Sequence, residues 1–238
     1  LRAEFARDAA PVPDILLRLA IGRYSVAIAK PRRMLDLTEA ALQAAKRADH
    51  RLARLRALHL VTIARDLSGD FQGALEAGRE LLEAFLVGFE VECKIAEAID
   101  PSHYKKGFHT SGTIGTFGAT VSAARLLKLD RTATAHALGI ASSFSAGIRV
   151  NSGTMTKPLH AGRAAENGVT AALLARAGFS SATNILEARR GFYNAMAGGY
   201  DESKIAGKLG GSYFMKDPGI SIKPYPSGSL SHPAQDLI

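Results

Sequence analysis

Residues 107–130 read GFHTSGTIGTFGATVSAARLLKLD, and the reading of this stretch decides the fold. It contains no Pro, and Gly112, Gly115, Gly118 and Ala119 fall on one face of a helix predicted to run to about Lys128. Glycine in a helix interior costs up to about 1 kcal/mol, so its repeated use needs a compensating gain. Close approach between helix backbones supplies one. The same texture continues downstream. Ala133, Ala137, Ile140, Ala141 and Phe144 line a second helix. Ala161, Ala164, Ala165, Gly168, Ala171, Ala172 and Ala175 line a third, predicted from about Pro158 to Ala177 with Gly178 at the C′ position. Charges at Arg163, Glu166 and Arg176 place this bundle in water, not lipid. The fold class is mainly α.

Upstream, Pro11 and Pro13 precede Asp14, an N-cap candidate for the apolar run Ile15, Leu16, Leu17 and Leu19. From Asp36 to Ala64 there is no Pro or Gly, and Leu52, Leu55, Leu58 and Val61 or Thr62 recur at helical spacing, which predicts one long amphipathic helix. Arg47, Arg51 and Arg54 recur on another face of it. A further helix is predicted from about Gly73 to Ile99, stopped by Pro101, with Leu82, Phe85 or Leu86, Phe89 and Cys93 on one face. Cys93 reads as a small core residue there. Near the end, Gly219 to Lys223 alternates and leads into Pro224 and Pro226, the signature of a short strand entering a stiff loop. Such a strand needs something to pair with, and the residues after it offer nothing, so either a missing C-terminal portion or a partner is expected to supply it.

Composition narrows the function. The chain of 238 residues holds 30 Lys plus Arg and 22 Asp plus Glu, a net charge of +8. Residues 1–70 carry 13 of the basic and 8 of the acidic side chains but only 2 of the 23 glycines, so the two parts differ in material. A basic lead could bind phosphate, yet no recognition motif accompanies it, and a solvated Arg-rich helical face explains the charge. Nucleic acid is therefore not the expected partner. One cysteine allows neither an internal disulfide nor a Cys-based zinc site. There is no apolar run long enough to span a membrane and no apolar leader, and a cytoplasmic location is expected.

Three loop-like clusters can carry chemistry. Gly107 to Thr113 places His109 at a helix entrance, where backbone N–H groups and the helix dipole favour an anion. A histidine there can move protons near neutral pH or serve only as a cap. Gly153 to Gly162 places Lys157 just before a helix, a fixed positive charge suited to a carboxylate or to solvent. Ile222 to Pro226 holds Lys223 between stiff prolines. There is no metal-ligand spacing and no GxGxxG after a strand. Gly112 to Gly118 imitates a phosphate loop but lacks its Lys-Ser/Thr ending. Lysines and histidines near helix starts, without metal or redox residues, point to proton-transfer chemistry on polycarboxylates.

These blocks resemble the MmgE/PrpD family, which includes 2-methylcitrate dehydratase, cis-aconitate decarboxylase and iminodisuccinate epimerase. The resemblance begins near Gly78 with GRELLEAFLVGFEVECKIA and continues through HYKKGFHTSGTIGTFGATVSAARLLKLD. It then takes in ALGIASSFSAGIRVNSGTMTKPLHAGRAAENGVTAALLARAGF, ILEARRGFY and IKPYPSGSLSHPAQD. It implies a basic helical region over 1–77 outside the match, a family-like helical domain over 78–218 and only the start of an α+β lid domain over 219–238. It also implies a homodimer, with no metal and no cofactor, acting on small di- and tricarboxylates.

By this resemblance His109 is a general acid/base, and Lys157 and Lys223 neutralise substrate carboxylates and the enolate-like charge left when a proton leaves carbon. Thr110, Thr113, His160 and Tyr225, inside the matched blocks, are expected to line the substrate. His232 lies in a matched block without an assigned role. The expected activity is a hydro-lyase dehydrating a methylcitrate-like acid. Decarboxylation or epimerisation of a related acid uses much the same groups. The family's upstream Asp-rich segment and His-Pro motif are not found in residues 1–77. That departure motivates the competing reading, an inactive helical module for dimerisation or binding.

Overall fold

The computed structural model describes residues 31–237; the helix start expected at Asp14 lies outside them. Helix α1 (Pro31–Arg47) and helix α2 (Arg51–Leu67) form a hairpin. Met34, Ala41, Leu42 and Ala45 of α1 bury against Ala53, Ala57, Leu60, Val61 and Ala64 of α2. The single long helix expected from Asp36 to Ala64 is thus two helices. Asp49 takes a left-handed backbone (φ 48°), and the His50 Nδ1 caps α2 by accepting the Ala53 N–H at 3.2 Å. Asp tolerates that conformation better than most residues. Folding back lets the two apolar stripes bury each other, a gain that one straight helix would forgo. The arginines divide accordingly. Arg51 and Arg54 reach Glu80 at 3.1 and 2.7 Å, and the Arg51 Nε donates to the Leu126 carbonyl, while Arg47 ends α1.

Helix α3 (Phe71–Ile99) is capped by Asp70, whose carboxylate accepts the Gly73 N–H at 2.9 Å. It joins the hairpin to the remaining bundle. Its buried face differs from the expected one. Gly73, Ala74, Gly78, Ala84, Gly88, Ile95 and Ala98 point inward, whereas Leu82 and Phe85 are 48% and 52% exposed. The small residues win because neighbouring helices approach too closely for large ones: a Cβ at Gly78 would lie 3.1 Å from Thr62. Cys93 is half-buried rather than in the core.

After the short helix α4 (Ser102–Lys105) come α5 (Thr110–Leu126), α6 (Arg131–Phe144) and α7 (Thr156–Arg176). Helix α5 is the centre, packed by α3, α6 and α7. Residues all round it are buried, from Gly112 and Ile114 to Phe117, Val121 and Ala124. Its buried threonines satisfy themselves: the Thr116 and Thr120 hydroxyls donate to the Gly112 and Thr116 carbonyls at 2.9 and 2.7 Å. The small-residue face of α7 meets α5 at backbone distance. A Cβ at Gly168 would lie 2.6 Å from the Thr120 nitrogen, so glycine is required there. Ala164, Ala171, Ala172 and Ala175 bury beside it, whereas Ala161 and Ala165 face outward. Helix α7 stops before Gly178, which is left-handed at φ 87°. Helix α8 (Phe192–Ala197) closes the core with Phe192 and Tyr193.

Residues 219–223 correct the remaining expectation. No strand forms among the described residues, whose only bridge pairs Phe108 with Ile148. The alternating Ile220 and Ile222 are exposed, Ile222 to 86%. With no neighbouring extended backbone to bond and no surface to cover that side, alternation alone gives no ladder. The chain closes with helix α9 (His232–Gln235).

Candidate active site

His109 occupies the N-cap position of α5, yet its ring makes no capping bond. Its backbone does that work, the carbonyl accepting from the Gly112 and Thr113 N–H groups at 2.9 and 3.1 Å. The ring is free to turn outward, and its Nδ1 lies 2.9 Å from the Nδ1 of His160 in the first half of α7. The two rings are 5.1 Å apart between centroids. Gly112 makes the approach possible: a Cβ there would sit 2.6 Å from the Ala146 carbonyl and 3.2 Å from the His160 Cβ. The loop before α7 is tied down as well, because His109 N–H donates to the Gly147 carbonyl at 3.0 Å and Arg149 N–H to the Gly107 carbonyl at 2.8 Å.

Lys157, in the first turn of α7, is the cation that acts on His109. Burial, then the His160 ring, then Lys157 hold the His109 imidazole below its ordinary value. His109 is therefore neutral at pH 7, with Nε2 lacking a hydrogen-bond partner among the described residues. The starts of α5 and α7 converge here, and the Thr110 hydroxyl and N–H, like the Ser111 N–H, find no partner among the described residues. The arrangement offers an anion-binding corner with a proton-exchanging imidazole beside it. In the segment leading into α7, Met155 is 93% exposed and Val150 85%, with Ile148 and Leu159 about half exposed.

The other expected residues are placed differently. Thr113 is wholly buried, and its hydroxyl lies 2.8 Å from the His103 Nε2, so it faces the core rather than a ligand. Lys223 donates to the Ser227 carbonyl at 3.2 Å, and the Tyr225 hydroxyl to Asp236 at 2.7 Å, which pushes the phenol pKa up. His232 packs edge-on against Tyr225. These contacts stay within residues 219–237, and none reaches His109.

His103 is the residue that sequence reasoning missed. It is fully buried, stacked on Phe108 with centroids 4.8 Å apart, and its Nδ1 sits 3.3 Å from the Met196 carbonyl. That bond requires a proton on Nδ1, so Thr113 donates to Nε2. Burial lowers the His103 pKa and keeps the ring neutral. The bond pins α4 and α8 to the start of α5. No spacing rule links positions 103, 113 and 196, so nothing in the sequence marks the contact. Cys93 is no rival nucleophile: burial and the charges of Glu92, Glu90 and Glu97 push its thiol up to about 11. Among the described residues no group of three or more His, Cys, Asp or Glu could hold a metal ion, and no helix is long and apolar enough to cross a membrane.

A bundle of small-residue helices with a histidine pair where two helices start is a helical domain whose class the sequence comparison supplies. The model of the MmgE/PrpD N-terminal domain matches residues 34–204, and the chain belongs to that family. The match extends upstream of Gly78 to take in the α1–α2 hairpin, consistent with its packing on α3. The chain is similar to cis-aconitate decarboxylase of Homo sapiens, 32% identical over 157 residues that cover 66% of this chain and 32% of that protein. It is 31% identical to the Mus musculus protein of that name over the same shares. To that of Aspergillus terreus it is 30% identical over 170 residues, 68% of this chain and 34% of the relative. The chain spans about one third of the length of the curated relatives it matches.

Proposed function

We propose that this chain is the helical part of a lyase acting on a small tricarboxylate of the cis-aconitate type by proton exchange at carbon. The observation that carries the reading is the His109–His160 contact of 2.9 Å beside Lys157 at the starts of α5 and α7. Lys157 and the open N–H groups of α5 hold carboxylates, and the neutral His109 exchanges the proton. Decarboxylation takes precedence over the methylcitrate dehydration expected from sequence, because the relatives named above are decarboxylases. Breaking the C–CO2 bond leaves its electron pair on carbon, conjugated with the neighbouring double bond. A proton that His109 has taken up from solvent at Nε2 then neutralises that carbon and returns the ring to its neutral form, while Lys157 stabilises the developing charge. Lys223 joins the site only on release from the Ser227 carbonyl. A homodimer belongs to the same proposal, with sedimentation as its check.

The test is carbon-13 NMR of purified protein mixed with cis-aconitate, 2-methylcitrate or iminodisuccinate. Release of CO2 from cis-aconitate is expected, and His109→Ala should lower it about 10²- to 10⁴-fold. Dehydration of 2-methylcitrate instead would move the reaction and keep the site. Turnover of none of the three would sink the proposal. The lack of the family's upstream Asp-rich segment and His-Pro motif in residues 1–77 favours one competing reading, a module that binds polycarboxylates without converting them, which calorimetric binding in the absence of turnover would establish.

A further inference from the structure

We propose that His160 is a positioning residue for His109: it occupies the His109 Nδ1 so that Nε2 is the nitrogen that meets the reacting carbon, and it shares the single proton that the pair takes up. The inference rests on the proton-exchange reading above, but its core is geometric. Between two Nδ1 atoms 2.9 Å apart there is room for one hydrogen, so one ring donates and the other accepts. Protonating both Nδ1 atoms would point two N–H groups at each other.

His160 cannot easily turn away. It is 9% exposed, with its Cβ beside Gly112 and its Nδ1 beside Gly147. Its only hydrogen-bond partner among the described residues is His109. The groups facing His109 are His160 and Lys157, both from α7, and the loop that packs from the other side offers backbone, Ala146 and Gly147. Among the described residues no carboxylate acts on the ring to stabilise an imidazolium, and both neighbours oppose one. This differs from a carboxylate-oriented histidine, whose charged form is favoured.

The consequence is a two-way relay. With the shared hydrogen on His109 Nδ1, Nε2 is bare and accepts a proton. With that hydrogen on His160, Nε2 carries its own proton and donates. A proton accepted at Nε2 is matched by movement of the Nδ1 hydrogen to His160, so the pair gains one proton in all and returns it later. His160 thus needs no contact with substrate, in contrast to the lining role expected from sequence.

The test is nitrogen-15 NMR of imidazole-labelled protein titrated from pH 8 to 5, with wild type, His160→Asn and His160→Ala. In wild type the His109 ring should take up its proton below the ordinary histidine value, with the two Nδ1 signals reporting one shared hydrogen. In both variants the His109 midpoint should rise, and more in His160→Asn, whose side-chain oxygen accepts from Nδ1–H and favours the charged ring. With substrate, the alkaline limb of kcat/KM, where the pair has lost the proton it donates, should move up by the same amount. His160→Ala should lower kcat about 10- to 100-fold with little change in KM, and His160→Asn should recover part of the loss. An unchanged His109 midpoint in folded His160→Asn would overturn the inference, whatever the activity. A shifted midpoint in a protein that turns over no polycarboxylate would uphold the pairing and sink the functional reading. If His160→Ala fails to fold, His160→Asn decides.

Discussion

Lys157-Pro158 and Lys223-Pro224 are the same dipeptide in two settings, and the fold treats them differently. The first opens a 21-residue helix whose small-residue face is pressed onto α5, so Lys157 acts on His109 from a fixed base. The second lies in a segment whose recorded side-chain bonds are all internal: Lys223 to Ser227, Tyr225 to Asp236, Gln235 to Ser227 and Ser231. Proline stiffens both, but stiffness gives a side chain a position only when something packs against the backbone that carries it. A local motif specifies which groups are present, and helix packing specifies what they face.

The largest effect expected from this contrast is on stability. Gly168→Val inserts carbon atoms where a Cβ already lies 2.6 Å from the Thr120 nitrogen. It should cost about 3 kcal/mol or more, or abolish folding. Lys223→Ala, which removes a bond in an exposed segment, should change stability by less than about 0.5 kcal/mol. Thermal unfolding of both variants checks the pair, and equal losses would break the comparison.

A smaller loss is expected at the brace behind His109. Thr113→Val keeps the shape but leaves the buried His103 Nε2 without its donor, which should cost about 1–3 kcal/mol in urea unfolding. A change below about 0.5 kcal/mol would mean that the brace does not hold the start of α5.

The smallest effect sharpens the comparison at the far side of the same helix. Glu92 on α3 lies against Gly118 of α5, and burial alone raises its carboxyl from 4.5 to about 7. The unfolded chain releases this proton more readily, so the group erodes stability as pH rises from about 4.5 through 7. Glu92→Gln should stabilise the fold at pH 8 by about 1–2 kcal/mol, a figure discounted for partial exposure, and do little at pH 4. Equal gains at both pH values would assign the effect to packing rather than charge.

Much of the helical part was legible in the sequence. The presence of α3, α5, α6 and α7 follows from apolar and small-residue spacing, with Pro101 after α3 and the glycine after α7, all local signals. The α1–α2 break was not, because Asp49 carries no breaker signature and the gain that folds the hairpin comes from contacts across it. The buried side of α3 also escaped, since periodicity marks an apolar stripe but not which stripe a close neighbour permits. At the site, His109 and Lys157 were legible as groups at helix starts, whereas the role of Thr113 and the very presence of His103 were not. Their bond joins positions ten residues apart that no single element relates.

What the sequence determined by itself is a mainly helical chain of small-residue faces, belonging to the MmgE/PrpD family, with a histidine and lysines set among turn residues. What the tertiary structure decided is which of them meet. Gly112 and Gly168 let α5 and α7 approach at backbone distance, and that approach brings His160 to His109 across 51 positions of sequence. Residues 219–223, equally well patterned, found no neighbour and formed no strand. Periodicity is a property of one segment, whereas a hydrogen bond between two rings or two strands requires a second segment at the right distance.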